Sequence, residues 1–441
     1  MRAAKPFYLA VLGLTLSGCS ALSQSPAPVV QGGQTRPATA YPDAYTPPPA
    51  PMASGSRGAV TVQAARELRN EAGLIQARKD LAMTAAASGN AQGQWLSLDG
   101  SINAQVTDGP LDNRQGLVQA ARDLRVESLG GSAVLNQGGR LIGVQDLTIK
   151  GASLNNDQGL LASGRDMAVQ LGVGAFSNVD SASNGGTQGV LAGGKLSIQG
   201  GSLDNRGGLV SAQGAMHIDL AGALDNTAGS TQSGRVYSSD DLTLKAGAVA
   251  NQAGQLLAQG HLTALVEGGL LNNDRGWIHA GQTLTLQADQ ISNRQTKAPA
   301  SLSGVALGLE GQSVSLRATA LDNQSGSVRA NDAFQLTSDG VLNNQSGEIL
   351  SAGSIRISQA GVTPTLRVEH EQGKLHGEQS IDIRAGSVAG AGQITSRGDV
   401  SLSVQGDHVV SGTLVSGGNL TLQATGQVTN PGSLLAGGTL S

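Results

Sequence analysis

The chain has 441 residues, with 64 Gly but only 2 Trp, 4 Tyr and 3 Phe, and its net charge at pH 7 is −4. A single compact core does not grow to this length, and globular cores depend on more aromatic side chains than this. The absence of basic blocks argues against nucleic acid as a partner. One cysteine excludes an intramolecular disulfide framework and a multi-cysteine metal site. The composition predicts no metal and no cofactor.

Residues 1–18 predict an export signal. Two basic residues precede the apolar run FYLAVLGLTL at residues 7–16, which is shorter than the roughly 20 residues that span a bilayer. The run ends in LSGC at residues 16–19, which resembles the lipobox of bacterial lipoproteins. This resemblance implies cleavage before Cys19, acylation of its thiol and new amino group, and attachment to the membrane through that lipid. An ordinary signal peptide with an incidental cysteine is the alternative.

Residues 19–57 predict a disordered tether. Eight of the 13 prolines lie here among Ser, Gln, Ala and Thr, a composition that favours extended chain at about 3 Å per residue. Ser20 follows the cysteine, at the position where many inner-membrane lipoproteins have Asp. The lipoprotein resemblance therefore implies the outer membrane.

Residues 58–441 repeat one pattern, as in LDNRQGLVQAARDLRV from Leu111 and LNNDRGWIHAGQTLTL from Leu271. Glycine follows the central asparagine by three residues, an aliphatic residue by five, and apolar residues by eleven and thirteen. The clearest copies centre on Asn70, Asn113, Asn136, Asn156, Asn205, Asn251, Asn273, Asn323 and Asn344. The glycines singled out as turn residues are Gly73, Gly116, Gly159, Gly208, Gly276, Gly326 and Gly347. Weaker copies centre on Asn178, Asn226, Asn293 and Asn430, and longer gaps indicate a missed copy or an insertion.

This pattern predicts an all-β fold, a right-handed parallel β-helix of about 20–22 residues per coil. Apolar residues two apart indicate a strand, and the other apolar positions mark two more strands per coil. Three short strands bury nothing alone, so copies stack about 4.8 Å apart. Known solenoids supply the handedness. We interpret the asparagine as a left-handed corner residue whose amide stacks on the next copy, and the glycine as a second corner with positive φ.

A helical interpretation of segments such as VQAARDLRVE is disfavoured. Their counterparts in other copies, such as WIHAGQTLTLQ, are rich in Gly and Thr and form helices poorly.

The pattern L-[DN]-N-x-x-G-x-[LIV]-x-A-x-x-x-L-x-[LIV] resembles the haemagglutinin repeats of the filamentous haemagglutinin family, which includes large adhesins and contact-dependent inhibition exoproteins. The resemblance covers about residues 60–441 and implies a stalk at the bacterial surface, used for adhesion or for presenting a toxic domain. It implies a host-cell, neighbouring-cell or glycan receptor and an outer-membrane secretion partner. The family's secretion domain is not visible, and the sequence ends part-way through a coil at SLLAGGTLS. We therefore expect a truncated relative or an end that pairs with something else.

One histidine cluster stands out in the search for chemistry. His370 and His376 lie in VEHEQGKLHGEQ, which we interpret as a solvated, irregular coil rather than a metal site, since no second ligand cluster supports it. No catalytic triad, phosphate loop or nucleotide fingerprint is present. Because parallel β-helices include polysaccharide lyases and hydrolases, an enzyme is an alternative. Trp95 and Trp277 are isolated in the sequence, so we predict a protein without catalytic activity.

Overall fold

A computed structural model describes residues 29–31, 34–36, 58–182, 187–297, 306–359, 361 and 364–441. Within these ranges the regular elements are strands, and no helix is present among them. The chain divides into two units. The first comprises Met1–Ser197 with Leu209–Gly214, and the second comprises Ile198–Gly208 with Ala215–Ser441.

The strands of the first unit are short. They are β1 Val29–Gln31, β2 Gln34–Arg36, β3 Val60–Arg69, β4 Leu74–Ala77, β5 Leu81–Gly89, β6 Gln94–Ser97, β7 Ile102–Val106, β8 Leu111–Asp112, β9 Leu117–Ala120, β10 Leu124–Ser128, β11 Ala133–Leu135, β12 Arg140–Gly143, β13 Leu147–Lys150, β14 Ser153–Asn155, β15 Leu160–Ser163, β16 Met167–Gln170, β17 Ala175–Ser177, β18 Gly189–Ala192 and β21 Leu209–Ala212. Strand β19, Leu196–Gly200, crosses the boundary between the units.

The second unit contains the remaining strands. They are β20 Ser202–Asp204, β22 Met216–Leu220, β23 Ala223–Asp225, β24 Arg235–Ser238, β25 Leu242–Ala246, β26 Ala248–Ala250, β27 Gln255–Ala258, β28 Leu262–Val266, β29 Leu270–Asn272, β30 Trp277–Ala280, β31 Thr283–Gln287, β32 Gln290–Ser292, β33 Gly308–Asp322, β34 Ser327–Asn343, β35 Glu348–Ser351, β36 Ser354–Ser358, β37 Arg367–Glu369, β38 Lys374–Gly377, β39 Ser380–Ala385, β40 Ser387–Ala389, β41 Gln393–Ser396, β42 Asp399–Val404, β43 His408–Val409, β44 Thr413–Ser416, β45 Leu420–Ala424, β46 Val428–Thr429 and β47 Ser433–Ala436.

Each unit is a parallel β-solenoid with about 21 residues per turn, as the repeat predicts. A typical turn contains a post-turn strand that follows the Asn–Gly segment, a middle strand, and a pre-turn strand that leads to the next asparagine. Strands of one kind stack in parallel, so that β9 pairs with β12 and β12 with β15. In the second unit β24 pairs with β27 in the same way, and β27 with β30. The predicted fold class is therefore confirmed, while its right-handed sense stays a prediction.

Alternate side chains along each strand point inward and form the core, which lies inside the turns. Leu124 and Val126 are at most 1% exposed, whereas Arg125 between them points outward and is exposed. The register pairs Leu124 with Leu147 in the next turn, and that leucine with Met167 in the turn after it. Each turn therefore buries only a few aliphatic side chains, which explains why the sequence needs so few aromatic residues.

The long gaps between repeats have two causes. Asn90 begins a turn that the sequence pattern missed between Asn70 and Asn113. In the second unit the sequence between a repeat asparagine and its post-turn strand, three residues long in a regular repeat, is longer after Asn226 (residues 227–234) and after Asn293 (residues 294–307).

The predicted N-terminal segments are described only in part. Strand β1 pairs antiparallel with β2 inside the predicted tether. Cys19 and the rest of residues 1–57 lie outside the described residues.

Candidate functional site

The predicted asparagine and glycine of each repeat are the first and fourth residues of a β-turn. At Asn113, the Gly116 N–H donates to the Asn113 carbonyl over 3.0 Å. The turn joins a pre-turn strand to a post-turn strand, so it occupies the same corner of the solenoid in each repeat. The same bond occurs in all seven predicted pairs: Asn70–Gly73, Asn113–Gly116, Asn156–Gly159, Asn205–Gly208, Asn273–Gly276, Asn323–Gly326 and Asn344–Gly347.

Buried amides connect the turns of the first unit into an asparagine ladder. Asn113 Nδ2 donates to Asn136 Oδ1 over 2.7 Å, and Asn113 Oδ1 accepts from Asn90 Nδ2 over 2.7 Å. Asn113 Nδ2 is also 3.1 Å from the Arg140 carbonyl oxygen, so this fully buried amide is satisfied at both ends. The ladder of the first unit consists of Asn70, Asn90, Asn113, Asn136, Asn156 and Asn178.

The second unit contains its own asparagine ladder. Its amide-to-amide distances are 2.7–2.9 Å, and every asparagine in it is fully buried. It consists of Asn205, Asn226, Asn251, Asn273, Asn293, Asn323 and Asn344. Stacked amides of this kind satisfy one another from copy to copy, so the ladder ties each turn to the next.

The predicted left-handed conformation at the asparagine and the glycine is wrong. Positive φ occurs instead at the third residue of the turn, as at Gln115 (φ 55°) and Arg275 (φ 57°), which is the position that has positive φ in a type II turn. The glycine is required for space, because a Cβ on Gly116 would lie 2.3 Å from the Asn90 carbonyl oxygen and 2.6 Å from Asn113 Oδ1. The asparagine is required for its amide.

The interpretation of the histidine cluster as a solvated coil is also wrong. His370 is 2% exposed and takes the ladder position that follows Asn344. Its Nδ1 lies 3.2 Å from Asn344 Nδ2, and its Nε2 lies 3.0 Å from the Gln393 carbonyl oxygen. Since the amide can only donate and the carbonyl only accept, the ring is the neutral tautomer with its hydrogen on Nε2. His376 is half-buried and contacts Thr395 and Glu378.

The ladder ends at His370, and a small cavity lies beside it. The cavity has a volume of about 20 Å³, and Gly390 and Val410 are part of its lining. His408 is the other titratable side chain in that lining. Burial lowers the pKa of both His370 and His408 below the ordinary value. Protonation of His370 at Nδ1 would place an N–H against the N–H of the Asn344 amide. Acid is therefore expected to break this hydrogen bond and to destabilise this end of the ladder.

We expect the His370→Asn variant to lose part of the acid sensitivity of the protein. Because burial lowers the pKa of the folded imidazole, its stabilising contribution is complete above the unfolded pKa of about 6.5 and declines as the pH falls below it. Asparagine restores the repeat residue and does not titrate. Urea unfolding followed by circular dichroism at about pH 7.5 and about pH 5 should show a smaller loss of stability in the variant than in the wild type.

The matched control is His217→Asn, at an exposed outward position of β22. This variant should lose as much stability between the two pH values as the wild type does. An equal loss of stability in the wild type and the His370→Asn variant would contradict the role given to His370.

Trp277 is not isolated once the strands are stacked. Its ring centroid lies 5.4 Å from that of His279, and His279 Nδ1 lies 3.4 Å from Glu310 Oε2. The His279 ring lowers the pKa of Glu310 below its ordinary value, against burial, which acts in the opposite direction. Trp95, by contrast, is fully buried in the core.

Within the described residues, no group of three or more His, Cys, Asp or Glu side chains is placed to hold a metal ion. Among those residues there is also no helix whose length and hydropathy suit a membrane crossing.

Stacked parallel turns with one buried asparagine ladder in each unit define a repeat protein of the β-solenoid class. The chain belongs to the haemagglutinin repeat family, whose repeats match residues 55–128, 106–171, 175–228, 219–274, 266–319, 309–363 and 375–441. A protein named Toxin CdiA from Escherichia coli is 32% identical over an alignment of 203 residues that covers 42% of this chain. The match covers only 6% of the length of that relative. No solved structure matches the chain.

Proposed function

We propose that this β-helical stalk attaches a bacterial cell to other cells or surfaces and has no catalytic activity of its own. The observation that carries the proposal is the repeated use of one turn design. Within each unit the buried ladder and the aliphatic rows recur from repeat to repeat, with the ladder of the second unit ending at His370, whereas the outward residues vary. Such a design builds length with a variable outer surface, which suits attachment and presentation.

The chemistry of the cavities supports a role without catalysis. One cavity of about 190 Å³ is lined by Gln, Gly and Leu side chains together with Arg140. The small cavity at His370 is otherwise lined by Val, Ile, Leu, Gly and Ser besides His408. Neither lining has a carboxylate, and glycan hydrolysis commonly uses a pair of them.

Lipid on Cys19 is the proposed anchor, in the outer membrane. The support comes from the sequence alone, through the basic start, the short apolar run, the LSGC box and the Pro-rich tether. The receptor would be a host cell, a neighbouring cell or a glycan, and export would use an outer-membrane secretion partner. A second candidate, favoured by the likeness to Toxin CdiA, is the stalk of a contact-dependent inhibition exoprotein.

Replacing Cys19 with Ser should abolish both lipid labelling and attachment. The full chain would be expressed in a non-adherent bacterial host, labelled with a clickable fatty acid, and tested for adherence to epithelial cells and to bacterial lawns. The thiol is the acyl acceptor, so the hydroxyl variant cannot carry the diacylglycerol. Ser20→Ala is the matched control and should behave like the wild type.

The two parts of the proposal fail separately. Unchanged labelling and membrane retention in the Cys19→Ser variant would remove the lipid anchor. Surface-labelled wild-type protein that gives no more adherence than the empty vector would remove the attachment function.

A further inference from the structure

One outer surface of the second unit has an unusual composition. Strands β24, β27 and β30 pair in register, so their outward side chains form two adjacent rows. The residues between them point inward and are fully buried. We call this surface the aromatic face, and it consists of Arg235, Tyr237, Gln255, Leu257, Trp277 and His279.

Aromatic side chains are scarce in the repeat region, and among its described residues only Trp277, on this face, is aromatic and not buried. Residues 58–441 contain five aromatic residues, of which Trp95, Phe176 and Phe334 are at most 1% exposed and fill the core. The other two lie two turns apart on the aromatic face: Tyr237 is 6% exposed, whereas Trp277 is only half-buried. Burial therefore accounts for Tyr237 but not for Trp277.

Arg235 is the second unusual feature of the face. Every other arginine from residue 58 onward is exposed, whereas Arg235 is half-buried. Its Nε donates to Gln255 Oε1 over 2.8 Å, and no carboxylate oxygen of the described residues lies within 4.0 Å of its guanidinium. Burial lowers the pKa of Arg235. A cation held partly out of water without an anion is costly, and an anion from outside would offset that cost.

The neighbouring ion pairs do not include Arg235. Arg329 pairs with Glu348 over 3.1 Å on the adjoining turns, and Glu310 lies beside His279 rather than beside Arg235. A carboxylate from outside would therefore find its partner on this face at the Arg235 guanidinium.

A hydroxyl-rich hairpin borders the same end of the face. Residues 227–234, TAGSTQSG, are an insertion that leads directly into Arg235. Ala228 and Ser233 form an antiparallel bridge, and the Gly229 N–H donates to the Gln232 carbonyl over 2.8 Å. Insertions in repeat proteins gather on the surface that binds.

We propose that the aromatic face binds an extended protein segment that presents a carboxylate to Arg235 and apolar side chains to Leu257 and Trp277. Trp, Tyr and Arg carry most of the binding energy at protein interfaces, and Arg binds a carboxylate through paired hydrogen bonds. A sheet surface with rows about 4.8 Å apart suits an extended chain, whereas small molecules bind in concave pockets. The proposal deepens the attachment function, on which it rests for the biological source of the segment.

A peptide array tests this inference with the purified full chain. Ten-residue peptides that combine Asp or Glu with Leu, Phe and Tyr are each placed beside a twin that has Asn or Gln instead. Selected peptides are then titrated by calorimetry and by tryptophan fluorescence. We expect acidic peptides to bind at least about tenfold more tightly than their amide twins, which corresponds to about 1.4 kcal/mol.

The Arg235→Gln variant should bind the acidic peptide and its twin equally, because the anion partner is gone. The Trp277→Phe variant should weaken both and keep the acidic preference. Arg275→Gln is the matched control, since Arg275 is exposed and glutamine already occupies that turn position at Gln92 and Gln115. It should leave binding unchanged.

Several outcomes overturn the inference. The inference is wrong if no peptide binds saturably, or if the wild type binds acidic and amide peptides with equal affinity. It is also wrong if Arg235→Gln and Arg275→Gln change peptide affinity equally, or if the protein binds inorganic phosphate without any peptide. These measurements use purified protein in solution. Their failure is thus separate from failure of the cell-attachment test.

Discussion

Replacing Asn273 with Asp should lower the free energy of unfolding by about 3–5 kcal/mol at pH 7. Asn273 is fully buried, accepts from Asn251 Nδ2 and donates to Asn293 Oδ1 over 2.9 Å. The carboxylate keeps the first bond but has no N–H for the second, so two oxygens would face each other without water. Urea unfolding followed by far-ultraviolet circular dichroism measures the loss.

The neighbouring residue offers the same chemical change as a control. Asn272 ends β29 as a half-buried residue, and several other repeats have aspartate at this position. Asn272→Asp should therefore change stability by less than about 0.5 kcal/mol. Acidification should reduce the cost of Asn273→Asp, because a protonated carboxyl can donate to Asn293. Equal effects of the two variants would show that the ladder does not hold the turns together.

Replacing Gly116 with Ala should cost about 3 kcal/mol, although alanine is the smallest possible addition. The new Cβ would lie 2.3 Å from the Asn90 carbonyl oxygen. That atom belongs to the backbone of the adjacent turn, so relief requires the two turns to separate. Separation would also lengthen the bond between the Asn90 and Asn113 amides. Thermal and urea unfolding of the purified variant measure the effect.

Gly151→Ala is the control for this substitution within the first unit. A Cβ there would have its nearest neighbours at 3.4 Å, an ordinary van der Waals contact. The variant should be close to the wild type in stability. If the Gly116→Ala protein has the same free energy of unfolding as the wild type, the two turns can separate at little cost and the prediction is wrong.

The fold could be predicted because the inward positions of a solenoid obey one rule in every turn. A side chain such as Leu124 contacts its equivalents above and below, so the core selects the same residue type at a fixed spacing. The period and the two-residue alternation then specify parallel stacking with little ambiguity. The asparagine and glycine repeat for the same reason, because each contacts its copy in the next turn.

Features without a repeated side-chain requirement could not be predicted in this way. The left-handed residue is Gln115 in one turn, Arg275 in another and Ser325 in a third, so no residue type marks it. The turn at Asn90 departs from the pattern at three positions. Ser88 replaces the apolar residue before it, Trp95 replaces the aliphatic residue after it, and Ile102 lies one residue later than the pattern requires. A pattern defined by asparagine also does not include His370, whose ring nitrogen accepts the hydrogen bond that an asparagine Oδ1 accepts in the other repeats.

The outward surface was the least predictable part of the chain. Trp277 and His279 are neighbours on one strand, but Glu310 joins them only when the turns are in register, and an insertion separates His279 from Glu310 in sequence. Spacing along the chain therefore says little about this surface. The stacking register, which the same inward rows maintain across an insertion, decides which outward residues meet.

The asparagine ladder has one further consequence, which follows from its direction. Every ladder asparagine of the second unit from Asn205 to Asn323 donates its amide N–H toward the C-terminal side, so the side-chain dipoles, each comparable to the roughly 3.5 D of a peptide unit, add rather than cancel. A β-sheet backbone has little net dipole of its own. The row therefore polarises the core much as a helix axis is polarised, with its positive end directed at His370. That field disfavours the imidazolium independently of burial, and a reversed amide anywhere in the row would weaken it.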